Sequence, residues 1–278
     1  MGVSMLLTRM NVWLDVGFSV LYMGVLLFLV WHFSMFVIKG RFRKSFIEGK
    51  WPEHDSRPPA TPKVLHAVHM FSMIILGFTG MYIRFPFFTG GREFMRSTHY
   101  VFMIIVIAVL IWRVWYAFYS KTNADWREFS IGKKDLDTAL GVLKYYGYMS
   151  DDKPHVAKYN VMQKMSYGLF LVMMVVQAIT GLLIWRYQFP LIDASLYGAT
   201  SAVIGATGVW VVRMLHYVLN WGFIIMTTVH MYLAFSVDIP CAMDFFGLKE
   251  LDVVEGHGHG HGRAEENPAL GLVAPLAD

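Results

Sequence analysis

Five of the eleven histidines stand inside long apolar stretches: His32, His66, His69, His216 and His230. A sixth, His99, opens another such stretch. An ionisable side chain within a membrane span is costly and marks a functional site by default. No Asp or Glu lies deep in the last four of these stretches, whereas proton and cation pathways usually carry carboxylates. Imidazole without carboxylate points instead to ligation of a metal or a haem iron. His216 and His230 are fourteen residues apart. On one helix that is roughly 21 Å of rise, with the second ring within about 40° of the first ring's face. One helix then presents two imidazoles on one side, near opposite membrane surfaces. Two stacked haems, each needing two axial ligands, use this geometry.

The elements that must carry these rings are long. A spanning helix needs about 20 mostly apolar residues. Five stretches qualify: Val16–Ile38, Val64–Ile83, Thr98–Tyr119, Met165–Trp185 and Met214–Val237. Composition agrees, with 56% hydrophobic residues and 16% charged, against about 25% charged in a soluble domain. Such runs are not the short alternating strands of a barrel. The expectation is an all-α membrane protein with a four-helix core over residues 51–240. An extra N-terminal helix within 1–50 precedes the core, and a flexible tail over 241–278 follows it. The first stretch is followed by Lys39, Arg41, Arg43 and Lys44 without a small-residue cleavage site, and reads as a retained helix. The one cysteine, Cys241, excludes an internal disulfide and any iron–sulfur or multi-cysteine zinc site built by this chain alone. There is no Cys-x-x-Cys-His for covalent haem attachment, no nucleophile constellation, no phosphate-binding glycine loop and no nucleic-acid patch.

Loop charge sets the orientation. Segments 39–63 and 120–158 hold seven Lys and Arg each, and the opposite side holds five: Arg9, Arg84, Arg92, Arg96 and Arg186. The two basic loops face the cytoplasm by the positive-inside rule, so the N-terminus is outside and the C-terminus inside. In the second loop Leu136, Leu140, Leu143 and Tyr146 recur at helical spacing, which predicts a surface helix. With this orientation His99 and His216 share the outer depth, and His66 and His230 the inner one. His69, one turn beyond His66, has three readings: the ligand in place of His66, part of a quinone pocket, or a partner for a backbone carbonyl. His32 has no partner at its depth and reads as a hydrogen bond within the bundle. Lys63, Arg96, Lys158 and Arg213 lie near the two surfaces, as partners for haem propionates or as interfacial anchors. Asn160 with Gln163 three residues on has the form of a helix capping box. His257, His259 and His261 alternate with glycine and read as a linker or as a metal-binding tract.

Two stretches carry a family resemblance. One is Lys158-Tyr159-Asn160-Val161-Met162-Gln163-Lys164-Met165, opening a helix that ends Ile179-Thr180-Gly181 and, shortly after, Trp185-Arg186. The other is Val212-Arg213-Met214-Leu215-His216, followed by His230-Met231-Tyr232-Leu233-Ala234-Phe235. These resemble the cytochrome b (gamma) subunit of respiratory formate dehydrogenases and the related cytochrome b of membrane-bound nickel–iron hydrogenases. In that family the first core helix carries a haem ligand at a fixed spacing before a Thr-Gly or Ser-Gly pair, and Thr79-Gly80 places it at His66. The resemblance implies two b-type haems on His66, His99, His216 and His230. It also implies a site for menaquinone or ubiquinone at Asn160, Gln163 and Lys164, with His69 as a further candidate. The implied partners are an iron–sulfur subunit and a molybdenum, tungsten or nickel–iron catalytic subunit, in a bacterial inner membrane. The chain departs from the family at Ala67, where a Trp often stands, at Lys63, where an Arg is common, and in its extra first helix. Two other readings stand beside this one: a haem-free anchor for partner subunits, and a stand-alone transmembrane reductase of the b561 type using ascorbate.

Overall fold

The computed structural model describes residues 3–52, 54, 57–121, 124–151, 154, 159–188 and 194–253. Seven α-helices run over these residues: α1 Val3–Ile38, α2 Ala60–Arg84, α3 Arg92–Tyr119, α4 Lys133–Tyr146, α5 Val161–Leu183, α6 Leu196–Val237 and α7 Ile239–Phe245. A π-helical turn at Arg43–Ile47 and a 3-10 turn at Trp126–Phe129 complete the helical elements. No strand occurs among the described residues. α1 (from Arg9), α2, α3, α5 and α6 are long and apolar enough to cross a membrane. Val20, Leu27, Ile111 and Val172 on these helices stay more than half exposed, a surface that lipid satisfies and water does not. The chain is a multi-pass helical membrane protein.

α2 packs on α3 and α5 on α6, and contacts of α2 with α6 and of α3 with α5 close a four-helix bundle. Its middle is apolar: Val106 of α3, Met174 of α5 and Phe223 of α6 are buried together, with Met73 and Leu76 of α2 against them. α1 lies outside the four and packs on α6. Specific contacts fix it there. Arg84 donates from Nη2 to both carboxylate oxygens of Asp15, at 3.0 and 2.8 Å. Phe18 stacks on Trp221 with ring centres 5.8 Å apart. His32, buried in α1, bonds through Nδ1 to the Tyr232 hydroxyl at 2.6 Å and through Nε2 to the Tyr146 carbonyl at 3.1 Å. It therefore ties α1 to α6 and to the end of α4.

The surface helix expected in the second basic loop is α4. Its start is set by Asp135, whose carboxylate accepts from the Gly132 N–H at 2.8 Å, and it packs on α5. α6 differs from the sequence reading. It starts at Leu196 rather than Met214 and is interrupted at Gly205, whose φ of 67° and ψ of 179° suit glycine almost alone. Residues 196–213 are rich in Gly, Ala, Ser and Thr and carry one charge, Arg213. Beyond α6, the tail read as flexible from residue 241 contains most of α7, then residues 246–250, which are exposed, and Leu251, which is buried. α7 meets α2, and Lys63 pairs with the buried Asp244 at 2.7 Å.

Candidate functional site

The four histidines meet two by two. His66 of α2 faces His230 of α6 with ring centres 6.3 Å apart and planes at 61°. His99 of α3 faces His216 of α6 at 6.5 Å and 67°. An imidazole nitrogen binds a metal ion at about 2.0–2.1 Å, and the ring centre lies roughly 1.1 Å behind that nitrogen, so rings on opposite sides of one ion sit about 6.3 Å apart. Both separations fit an ion held between two nitrogens. Phe223 lies on α6 midway between His216 and His230, seven residues from each. Its apolar cluster thus separates the pairs.

The His99/His216 pair has a hydrogen-bonded surround. Thr79 Oγ1 lies 2.9 Å from His99 Nδ1, and Thr180 Oγ1 lies 2.9 Å from His216 Nδ1. Each threonine is followed by a glycine that makes room for the ring. A Cβ on Gly80 would meet His99 Cε1 at 3.4 Å, and one on Gly181 would meet His216 Cε1 at 3.2 Å. Gln177 places its amide nitrogen 3.3 Å from His216 Nε2, a long hydrogen bond. Thr79, Thr180 and Gln177 escape a reading that looks only for ligand types. The signal that finds the threonines is the Thr-Gly pair repeated at 79–80 and 180–181. The His66/His230 pair is more open. Both residues are more than a third exposed, and Phe245 of α7 meets the His66 ring at 5.2 Å.

The remaining predicted residues fall into separate places. Asn160 and Gln163 form a reciprocal cap at the start of α5. The Asn160 N–H donates to Gln163 Oε1 at 2.9 Å, and the Gln163 N–H donates to Asn160 Oδ1 at 3.0 Å. Lys164, only 9% exposed, donates to Asp135 at 2.9 Å and to the Ser130 carbonyl at 3.0 Å. His69 lies against Phe170 with ring centres 5.9 Å apart, and its buried Nε2 has no partner among the described residues. Phe170 is ten residues along α5 from Asn160, roughly 15 Å by helical rise, so His69 sits deeper than the cap. Among the candidate propionate partners, Lys63 is paired with Asp244, Arg213 is exposed beside Tyr197 and Arg96 is half-buried. Lys158 and the histidines at 155, 257, 259 and 261 lie outside the described residues.

Cys241 sits in α7 beyond the last span. Burial pushes its thiol up to about 11, and the Asp238 and Asp244 carboxylates add to the shift. From its ordinary value of 9.0, two pKa units leave about a hundredfold less thiolate at pH 8. Maleimide labelling in the folded protein is therefore expected to run about a hundredfold slower than in the denatured chain, rising about tenfold per pH unit. Equal rates at pH 8 would contradict the packing of α7.

No curated protein matches the chain. Residues 57–239, more than half of the chain, match the prokaryotic cytochrome b561 family, that of the nickel-hydrogenase cytochromes b. Helical spans, paired imidazoles and this match agree, and the chain belongs to that family of membrane cytochromes b.

Proposed function

We propose that the chain is a dihaem cytochrome b that passes electrons across the membrane, between an iron–sulfur partner subunit outside and the quinone pool inside. The observation that carries this reading is the pair of imidazole couples, with ring centres 6.3 and 6.5 Å apart, at two depths of one bundle. His99 and His216 hold the outer haem, and His66 and His230 the inner one. A haem held by each imidazole couple would supply one-electron transfer chemistry rather than oxygen chemistry. The chain's part is to fix the rings, keep water away and present the two carriers to their partners. The excess of Lys and Arg in the two basic loops supports a cytoplasmic position for the His66/His230 end, in a bacterial inner membrane.

Menaquinone or ubiquinone is taken at that inner end. Asn160, Gln163 and Lys164 line the entrance of α5, and His69 Nε2, without a partner among the described residues, offers a deeper hydrogen bond. Proton uptake there, with electrons arriving from outside, adds to the membrane potential. Lys63, Lys158, Arg96 and Arg213 are candidate partners for the propionates. The partner complex is of the formate dehydrogenase or nickel–iron hydrogenase kind, with a molybdenum, tungsten or nickel–iron catalytic subunit.

The test is the haem content of the purified chain. The pyridine haemochromogen assay should give two b-type haems per chain, and a quinol should reduce them. A protein without Soret absorption would leave only the anchor role. One haem per chain would remove transmembrane transfer between two carriers. Reduction of the isolated chain by ascorbate, with no response to quinol, would favour the stand-alone reductase.

A further inference from the structure

The two threonines beside the outer pair are placed alike, and their protons are already committed. Thr79 Oγ1 donates to the Ile75 carbonyl at 2.7 Å, and Thr180 Oγ1 donates to the Val176 carbonyl at 2.8 Å. A hydroxyl has one proton, so toward histidine each oxygen acts as acceptor. The contacts at 2.9 Å are then His99 Nδ1–H and His216 Nδ1–H donating to threonine. That assignment fixes the tautomer of both rings and makes each Nε2 the acceptor nitrogen. His216 Nε2 accepts from the Gln177 amide at 3.3 Å, a long bond that a metal at that nitrogen would displace. Thr79 and Thr180 are 1% and 4% exposed, so water does not compete for these bonds. The arrangement is repeated: each threonine rides on the helix preceding its histidine's helix, and each is followed by the glycine that faces the ring. Among the described residues, neither ring of the inner pair has such an acceptor.

We propose that Thr79 and Thr180 are positioning residues that hold His99 and His216 as Nδ1–H tautomers and lower the reduction potential at the outer pair relative to the inner one. This rests on the dihaem reading. The physical reason is that an acceptor on Nδ1–H pulls the proton outward and makes Nε2 a stronger donor, which favours the oxidised metal. The inner pair lacks this contribution. The difference makes movement from the outer to the inner site downhill, and so assigns a direction that the ligand set alone does not.

The experiment is a redox titration of the purified full chain and of Thr79→Val, Thr180→Val and the corresponding serine variants. The outer haem is identified by its loss in His216→Ala. Each valine variant should shift the outer haem's reduction equilibrium about threefold toward the reduced form, about 28 mV at 59 mV per decade. The inner haem should stay in place, and serine should restore the native value. Loss of the outer haem in valine but not in serine variants also supports the positioning role. Unmoved potentials, equal shifts of both haems, or equal damage by valine and serine overturn the proposal while leaving two haems. A native chain with fewer than two haems overturns the dihaem reading, and this proposal with it.

Discussion

Replacing His216 by alanine should remove the proposed outer haem and leave the inner one, and His230→Ala should do the reverse. Among the described residues the facing ring, His99 or His66, is the one other imidazole in ring contact at each site, so on the dihaem proposal each substitution would take away one of two ligand nitrogens. The two sites share a helix but not a surround. His216 belongs to the Thr180 and Gln177 contacts, and His230 to the opening beside Phe245. The apolar cluster of Val106, Met174 and Phe223 stands between them and includes neither histidine. The haem stoichiometry should therefore fall from two to one in each variant, with helix content unchanged by circular dichroism. His66→Ala should lose the same haem as His230→Ala, whereas His69→Ala should keep both. Retention of both haems in either the His216 or the His230 variant would refute the pairing.

What the sequence discloses follows from which forces are local. That the four rings would meet in two couples is readable because helix periodicity fixes the face of His216 and His230, and loop charge fixes the depth of His66 and His99. Their role as ligands is read from the sequence and the resemblance and remains the proposal. The start of α6 is hidden because residues 196–213 rely on small side chains, which a hydropathy window scores weakly. The partners of Lys63 and Lys164 are hidden for another reason. Asp244 and Asp135 lie far along the chain and arrive by packing of α7 and α4. The threonine bonds are hidden because Thr79 and Thr180, each bonded back to its own helix, look like any small polar residue in a span. Asn160 and Gln163 show the converse. Their spacing announces a capping box, and the structure contains one.

Lys164→Met should slow quinol-driven haem reduction by about tenfold to hundredfold while leaving both haems in place, since a hydrogen bond to a charged group contributes about 1.5–3 kcal/mol. The lysine stands at the entrance of α5, beside the proposed quinone site, and four residues after Asn160. Its ammonium is nearly buried, and it also bridges α5 to α4 through Asp135 and the Ser130 carbonyl. A purely structural role would arise from that bridge, so Asp135→Asn is the control. It weakens the same ion pair and keeps the ammonium. The carboxylate is held below its ordinary value of 3.8, first by the Gly132 N–H and then by Lys164. Its contribution to the α4–α5 contact is therefore present above that value and is lost as pH falls through the lower folded one. At neutral pH the native chain and Lys164→Met both carry an ionised Asp135, and only the lysine differs. If Lys164 meets the quinone, the methionine variant loses quinol reactivity and Asp135→Asn retains most of it. If the bridge alone matters, both variants lose reactivity together and both release α4 to protease. Normal quinol kinetics in Lys164→Met would remove the lysine from the quinone site.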